Sequence, residues 1–168
     1  RWNVGRLVFQ TSALFTSNAA LYLRHCGAEC AWNGTNYVDK ENDIPWPLFD
    51  CVIRVPFRKR DSGPPAGTDG GKAGNAEAGE AAPILTWRGM EPKIDTAPLE
   101  RGAQRIGITI PYYDMKKIWR DLQDKNPAVL RAVRDAFERA TAAGYAARNF
   151  VALCGDMFMY ILEKPCNG

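Results

Sequence analysis

Little in this chain announces chemistry. It has a single histidine, His25, in 168 residues, so any Ser/His/Asp or Cys/His arrangement must use that side chain as its base. No run of 18 or more apolar residues occurs, which leaves no candidate for a membrane-spanning helix and predicts no membrane partner. Charge of one sign is scarce too. The 22 Lys and Arg against 19 Asp and Glu leave +3, too small an excess to announce nucleic acid by itself. Cysteine is present but odd in number: Cys26, Cys30, Cys51, Cys154 and Cys166. In a chain large enough to fold without staples, this predicts a reducing compartment, intracellular or an organelle matrix, ahead of secretion. Asn33-Gly34-Thr35 fits a glycosylation sequon that would matter only outside the cell. The opening Arg1-Trp2-Asn3, without Met, reads as removal of a segment upstream.

What is there suffices for one domain, 1–168. Apolar residues make up 46% and charged residues 24%, which excludes collagen-like, fully disordered and disulfide-knot classes. The stretch 61–83 stands apart, with 6 Gly, 6 Ala and 3 Pro and no aromatic, Val, Ile or Leu. It has nothing to bury and reads as a long flexible insertion. Its four carboxylates and one Lys give it −3, so the other 145 residues carry +6.

Several segments alternate with period 2, the mark of a half-buried strand. In Cys51 to Arg60, Ile53, Val55 and Phe57 fall on one side and Arg54, Arg58 and Arg60 on the other, with Pro56 pointing to an edge or bulge. Gly5 to Thr11, Leu85 to Arg88 and Arg105 to Ile110 repeat the pattern. The apolar run Asn149 to Glu163 is broken by Gly155-Asp156 and reads as two buried strands joined by a tight turn. Asp114 then caps a helix whose stripe is Met115, Ile118, Trp119 and Leu122. Asn126-Pro127 starts another with the stripe Leu130, Val133, Phe137 and Ala140, and Gly144 stops it. Residues 17–23 fit a short helix or a strand, while Trp32 to Asn36 and Ile44 to Pro47 read as turns. The fold class expected is α+β: an antiparallel sheet of five to seven strands, with a two-helix layer over about 114–143 on one face. The unit from Ile106 to Asp124 is loosely similar to the sheet-to-helix unit of Whirly-type nucleic-acid-binding domains. That likeness is one of amphipathicity and assigns no role to any residue.

Candidate sites are few. His25 could pair with Cys26, Cys154 or a carboxylate as a hydrolase or transferase site, but no motif surrounds it. His25, Cys26, Cys30 and Cys51 are metal-ligand types, yet Cys26 and Cys30 lack the close spacing that tetrahedral zinc prefers. Buried thiols or a Cys26–Cys30 disulfide are the plainer reading, and no metal or cofactor is expected. Asp69-Gly70-Gly71-Lys72 lacks the rest of a phosphate loop. The remaining pattern is an arginine array. If the strands pair, Arg54, Arg58, Arg60, Arg88 and Arg105 share an uncovered sheet face, with Trp46, Tyr112 or Tyr113 at its margin. Guanidinium forks beside aromatics suit phosphates and unstacked bases. The expectation is therefore a non-enzymatic protein binding RNA or single-stranded DNA through a basic sheet face, within a larger assembly. The alternative is a structural, protein-interaction subunit that docks through exposed aromatics such as Trp32 and Trp46.

Overall fold

Among the described residues, eight strands form one mixed sheet, and a helix packs across one of its faces. The computed structural model describes residues 5–33, 36–41, 44–46, 48–54, 78–89, 91–112, 127–153 and 156–165. Its strands are β1 (Arg6–Ser12), β2 (Glu29–Trp32), β3 (Asn36–Asp39), β4 (Ile44–Trp46), β5 (Leu48–Arg54), β6 (Ala82–Arg88), β7 (Glu91–Ile94), β8 (Arg105–Pro111), β9 (Ala146–Ala152) and β10 (Met157–Glu163). Helix α1 (Thr16–Ala19) runs on into a π-helical turn (Ala20–His25), α2 spans Ala97–Glu100 and α3 spans Pro127–Ala142. The sheet order is β1-β5-β2-β9-β10-β8-β6-β7, and β3 and β4 form a separate hairpin. No helix among the described residues is long and apolar enough to cross a membrane.

The architecture is thus α+β and mostly antiparallel, with four differences from expectation. The sheet has eight strands rather than five to seven, because β2 and β7 are four-residue strands too short to show alternation. Strand β7 holds Pro92, which an edge strand tolerates because one side of its backbone needs no ladder partner. One pairing, β6 with β8, is parallel. The chain leaves β6, returns antiparallel along β7 and is turned by α2 before it runs up the other side of β6. Ile44-Pro45-Trp46 is a strand rather than a turn, and Ala82-Pro83 belong to β6 rather than to the insertion. Residues 61–77 of the insertion and the first expected helix (114–124) lie outside the described residues.

Helix α3 follows its sequence closely. Leu130, Val133, Phe137 and Ala140 are all buried. At its end the Gly144 N–H donates to the Thr141 carbonyl and the Tyr145 N–H to the Ala140 carbonyl, while Gly144 takes φ 85°. This pairing satisfies the last carbonyls and requires the left-handed conformation that glycine adopts without a Cβ penalty.

The sheet divides into two sub-sheets contiguous in sequence. Strands β1, β5 and β2 come from residues 6–54, and β9, β10, β8, β6 and β7 come from 82–163. Among the described residues only one ladder pair, Cys30 with Ala147, joins them. The Phe137 ring bridges this seam from α3. It stacks on Trp32 at 5.1 Å and meets Phe49 edge-on at 4.9 Å on one side, and lies 5.2 Å from Tyr160 on the other. Tyr160 is fully buried, and its hydroxyl donates to the Ala13 carbonyl at 2.7 Å. Burial pushes the Tyr160 phenol well above its ordinary pKa, because the site would strip water from a phenolate.

The face away from α3 is not open across its centre. Gly107, Thr109, Val151, Met159 and Ile161 are buried there, and Ala81 packs among them. The Thr109 hydroxyl is satisfied by the Leu85 carbonyl. Gly107 has no room for a side chain, since a Cβ would sit 2.7 Å from Met159 Sδ.

Two outcomes are expected. Tyr160→Phe leaves the Ala13 carbonyl unpaired and lowers stability at neutral pH by about 1–2 kcal/mol. Above the ordinary tyrosine pKa of about 10, the unfolded chain releases a proton that the folded chain retains, so stability falls as pH rises. The variant should lose stability less steeply there, as urea titrations at pH 7 and in that alkaline range would read; an unchanged alkaline slope would assign the proton to another group. Gly107→Val should cost about 1–3 kcal/mol by overpacking, and Met159→Ala in the same chain should recover part of it. Strictly additive losses in thermal melts would contradict the close packing of the two side chains.

Candidate functional site

The helix-distal face carries the residues that a binding reading needs. Register fixes which side chains lie there. Ile106, Ile108 and Ile110 on β8 and Phe49, Cys51 and Ile53 on β5 face the core beneath α3. The alternate residues project the other way, and these include Arg54 on β5, Arg105 on β8 and Arg88 on β6. Arg58 and Arg60 lie outside the described residues.

Three arginines on one face do not make a cluster. Four strand spacings separate β5 from β8, and register sets Arg105 level with Asp50 rather than Arg54, so Arg54 lies more than roughly 19 Å from Arg105. Arg88 lies at the far end of its strand from Arg105, about 20 Å along the sheet. The buried apolar patch around Val151, Met159 and Ile161 occupies the ground between Arg54 and Arg105.

Two of the three are also engaged by carboxylates. Arg105 pairs with Glu80, and its Nε lies 3.1 Å from Glu163 Oε1, close enough for an ion pair although the N–H is not aimed for a hydrogen bond. The Arg54 Nε donates to Glu29 at 3.3 Å, and both side chains are well exposed. Solvent screening makes that contact worth little, so Arg54 is available to another anion. Arg88 is exposed, opposite Glu91 on β7.

The expected aromatic margin is mostly used inside the molecule. Trp46 packs against the core and meets Phe15 edge-on at 5.9 Å, and Trp32 stacks on Phe137. Neither is a free anchor for a partner. Tyr112 remains half exposed, and Tyr113 lies outside the described residues.

Sequence reading missed the surface of β1. Strand β1 is an edge of the sheet, and alternation alone does not say which strand will be an edge. Val8 is 64% exposed and Leu7 44%. Arg6 stands directly opposite Arg54, and Gln10 opposite Asp50, whose Oδ1 accepts from Gln10 and from Asn33. Register puts Val8 on the helix-distal face beside Val52 and Leu7 on the helix side beside Ile53, so the open part of the distal face is of mixed charge with Val8 exposed among the polar side chains.

The chemical alternatives find no assembled site among the described residues. His25 is exposed at the end of the π-helical turn, and its side chain makes no hydrogen bond or ion pair with the described residues. Its neighbour Cys26 is a free, partly buried thiol. A nucleophile and its base need to be joined and oriented, and these two are not. Cys30 and Cys51 form a disulfide between β2 and β5, which corrects the Cys26–Cys30 pairing and removes both sulfurs from any thiolate ligand set. The physical reason is register: the two stand directly opposite across the ladder, with Cα atoms 4.2 Å apart. No group of three or more potential metal ligands occurs among the described residues.

Compared with known protein families, curated proteins and solved structures, the chain matches none.

The cystine closes a loop across a sequence separation of 21. Replacing both cysteines with alanine should lower stability by about 3 kcal/mol, read by urea unfolding of oxidised wild type against the double variant. Peptide mapping without reductant should recover the Cys30 and Cys51 peptides linked to each other. Recovery of a Cys26–Cys30 linkage instead would refute the register of β2 on β5.

Proposed function

We propose that this protein is a non-enzymatic interaction module that works as a subunit of a protein assembly, docking through the open sheet surface of β1, β5 and β2. The observation that carries this reading is the exposed Val8 on an edge strand, beside Val52 and bordered by Arg6, Arg54, Gln10 and Asp50, with Leu7 exposed on the strand's other side. Edge backbone groups supply affinity to a docking strand, and the mixed polar border selects the partner. The compartment follows from the partner and is left to it, since a disulfide such as Cys30–Cys51 is commoner in oxidising surroundings.

A second reading is binding of RNA or single-stranded DNA by Arg54, Arg58, Arg60, Arg88 and Arg105. The observation in its favour is that Arg6 and Arg54 stand side by side and exposed, with Arg88 exposed further along the same face. Against it weigh the carboxylates on Arg105 and Arg54 and the apolar ground between them.

The expected outcome is that the protein in its native extract migrates as a complex whose mass nuclease leaves unchanged. In a gel-shift series the purified protein should then fail to retard a single-stranded oligonucleotide even at low salt. A shift at low salt that collapses as salt rises would reverse the ranking, because phosphate contacts are counted by that salt slope.

A further inference from the structure

The β1 edge carries enough detail to name its occupant. An antiparallel pair alternates narrow and wide residue pairs, and the Cys30–Cys51 pair, at 4.2 Å between Cα atoms, is a narrow, non-hydrogen-bonded one. The Cys51 backbone groups therefore turn toward β1, where Phe9 is its partner. Leu7, Phe9 and Thr11 then bond to β5, and the N–H and C=O groups of Arg6, Val8, Gln10 and Ser12 point outward from the edge. The outward carbonyl of Ser12 is already taken, accepting from the Phe15 N–H at 3.1 Å. Thr11 and Ser12 are also buried. The available edge is thus Arg6 to Gln10, centred on Val8, the most exposed of its apolar side chains.

Resting on the interaction-module reading, we propose that β1 pairs antiparallel with β1 of a second copy of this chain, about a two-fold axis at Val8. Val8 then faces Val8 of the other copy, Leu7 faces Phe9, and Arg6 faces Gln10. All three rows preserve both the faces of the sheet and the outward backbone groups. The neighbouring strands extend each row. Val52 stands beside Val8 on β5, so the central row becomes four valines. Arg54 stands beside Arg6 and Asp50 beside Gln10, so the flanking row reads Arg54, Arg6, Gln10, Asp50 across the interface, basic on one side and acidic on the other. Twofold symmetry supplies this row twice. Moving the axis to Phe9 would set Arg6 against Ser12, whose carbonyl is occupied, and would leave Val8 against Gln10. The edge carries no lysine or proline and no inward charge of the kind that keeps edges apart. In this register its only charge meets an uncharged partner backed by a carboxylate.

The test is the solution mass of the purified full chain by light scattering and sedimentation, with thermal melts as a control for folding. Wild type should show the mass of two chains. Val8→Lys, an exposed substitution that keeps the monomer folded, should weaken the dimer by about tenfold or more. Arg6→Glu should weaken it about tenfold, summed over the two symmetric rows, and adding Asp50→Lys should restore most of that loss. A monomeric wild type, or a dimer indifferent to Val8→Lys, overturns the proposal. Failure of Asp50→Lys to rescue Arg6→Glu overturns the register. A monomer that still joins a nuclease-resistant assembly with other proteins removes the second copy as occupant while the interaction-module reading stands.

Discussion

The burial of Phe137 between rings drawn from two sub-sheets is the contact on which the rest of the structure depends. Backbone hydrogen bonds normally hold neighbouring strands together, but β2 and β9 share a single ladder pair. Continuity across that seam therefore comes from side chains. Trp32 and Phe49 approach Phe137 from the N-terminal strands, and Tyr160 approaches it from β10. Tyr160 also meets Phe49 directly, at 5.4 Å between centroids, and bonds through its hydroxyl to Ala13. A buried aromatic contributes several kcal/mol through area, contacts and ring geometry, on the order of 3–5 when judged by truncation to alanine. That magnitude exceeds what the one or two backbone bonds of a single ladder pair add, at about 1 kcal/mol each. Packing rather than hydrogen bonding thus sets the relative position of the sub-sheets.

The same economy explains why the surface looks as it does. Aromatic side chains that would suit a binding face, Trp32 and Trp46 above all, are committed to the core. The indole N–H of Trp32 lies buried with no hydrogen-bond partner, a cost accepted for its stack on Phe137. Arg105 is held by Glu80 and Glu163, from before β6 and from the end of β10, so its charge ties chain segments together. What remains free lies on the N-terminal strands, where Val8, Leu7 and Arg6 have no comparable use inside the molecule.

The legible parts of the fold were those whose information is local. The stripe Leu130, Val133, Phe137 and Ala140, with Pro127 before it and Gly144 after, marks α3 because period, start and stop all lie within one segment. Strands β1, β5, β8, β9 and β10 show as alternation or as apolar runs. Local pattern misleads at β8. Gly107 and Thr109 read there as a solvent face, yet glycine leaves space that Met159 fills, and a threonine hydroxyl is readily satisfied in the interior. Sharing of one face by Arg54, Arg88 and Arg105 was readable from parity. Their spacing was not, because strand order is decided by tertiary packing. The Cys30–Cys51 bond was hidden for the same reason, since it depends on β2 lying against β5.

The division of the sheet has a consequence for how the chain is held together as a polymer. Between the sub-sheets the polypeptide passes only once, between Arg54 and Ala82. The cystine lies wholly within the N-terminal part and ties nothing across the joint. That single passage confines the two parts to one another, so their docking is an intramolecular event governed by an effective concentration. The ladder pairings of each part join strands drawn from its own stretch of sequence. Closure of the seam then depends on how readily the rings around Phe137 meet.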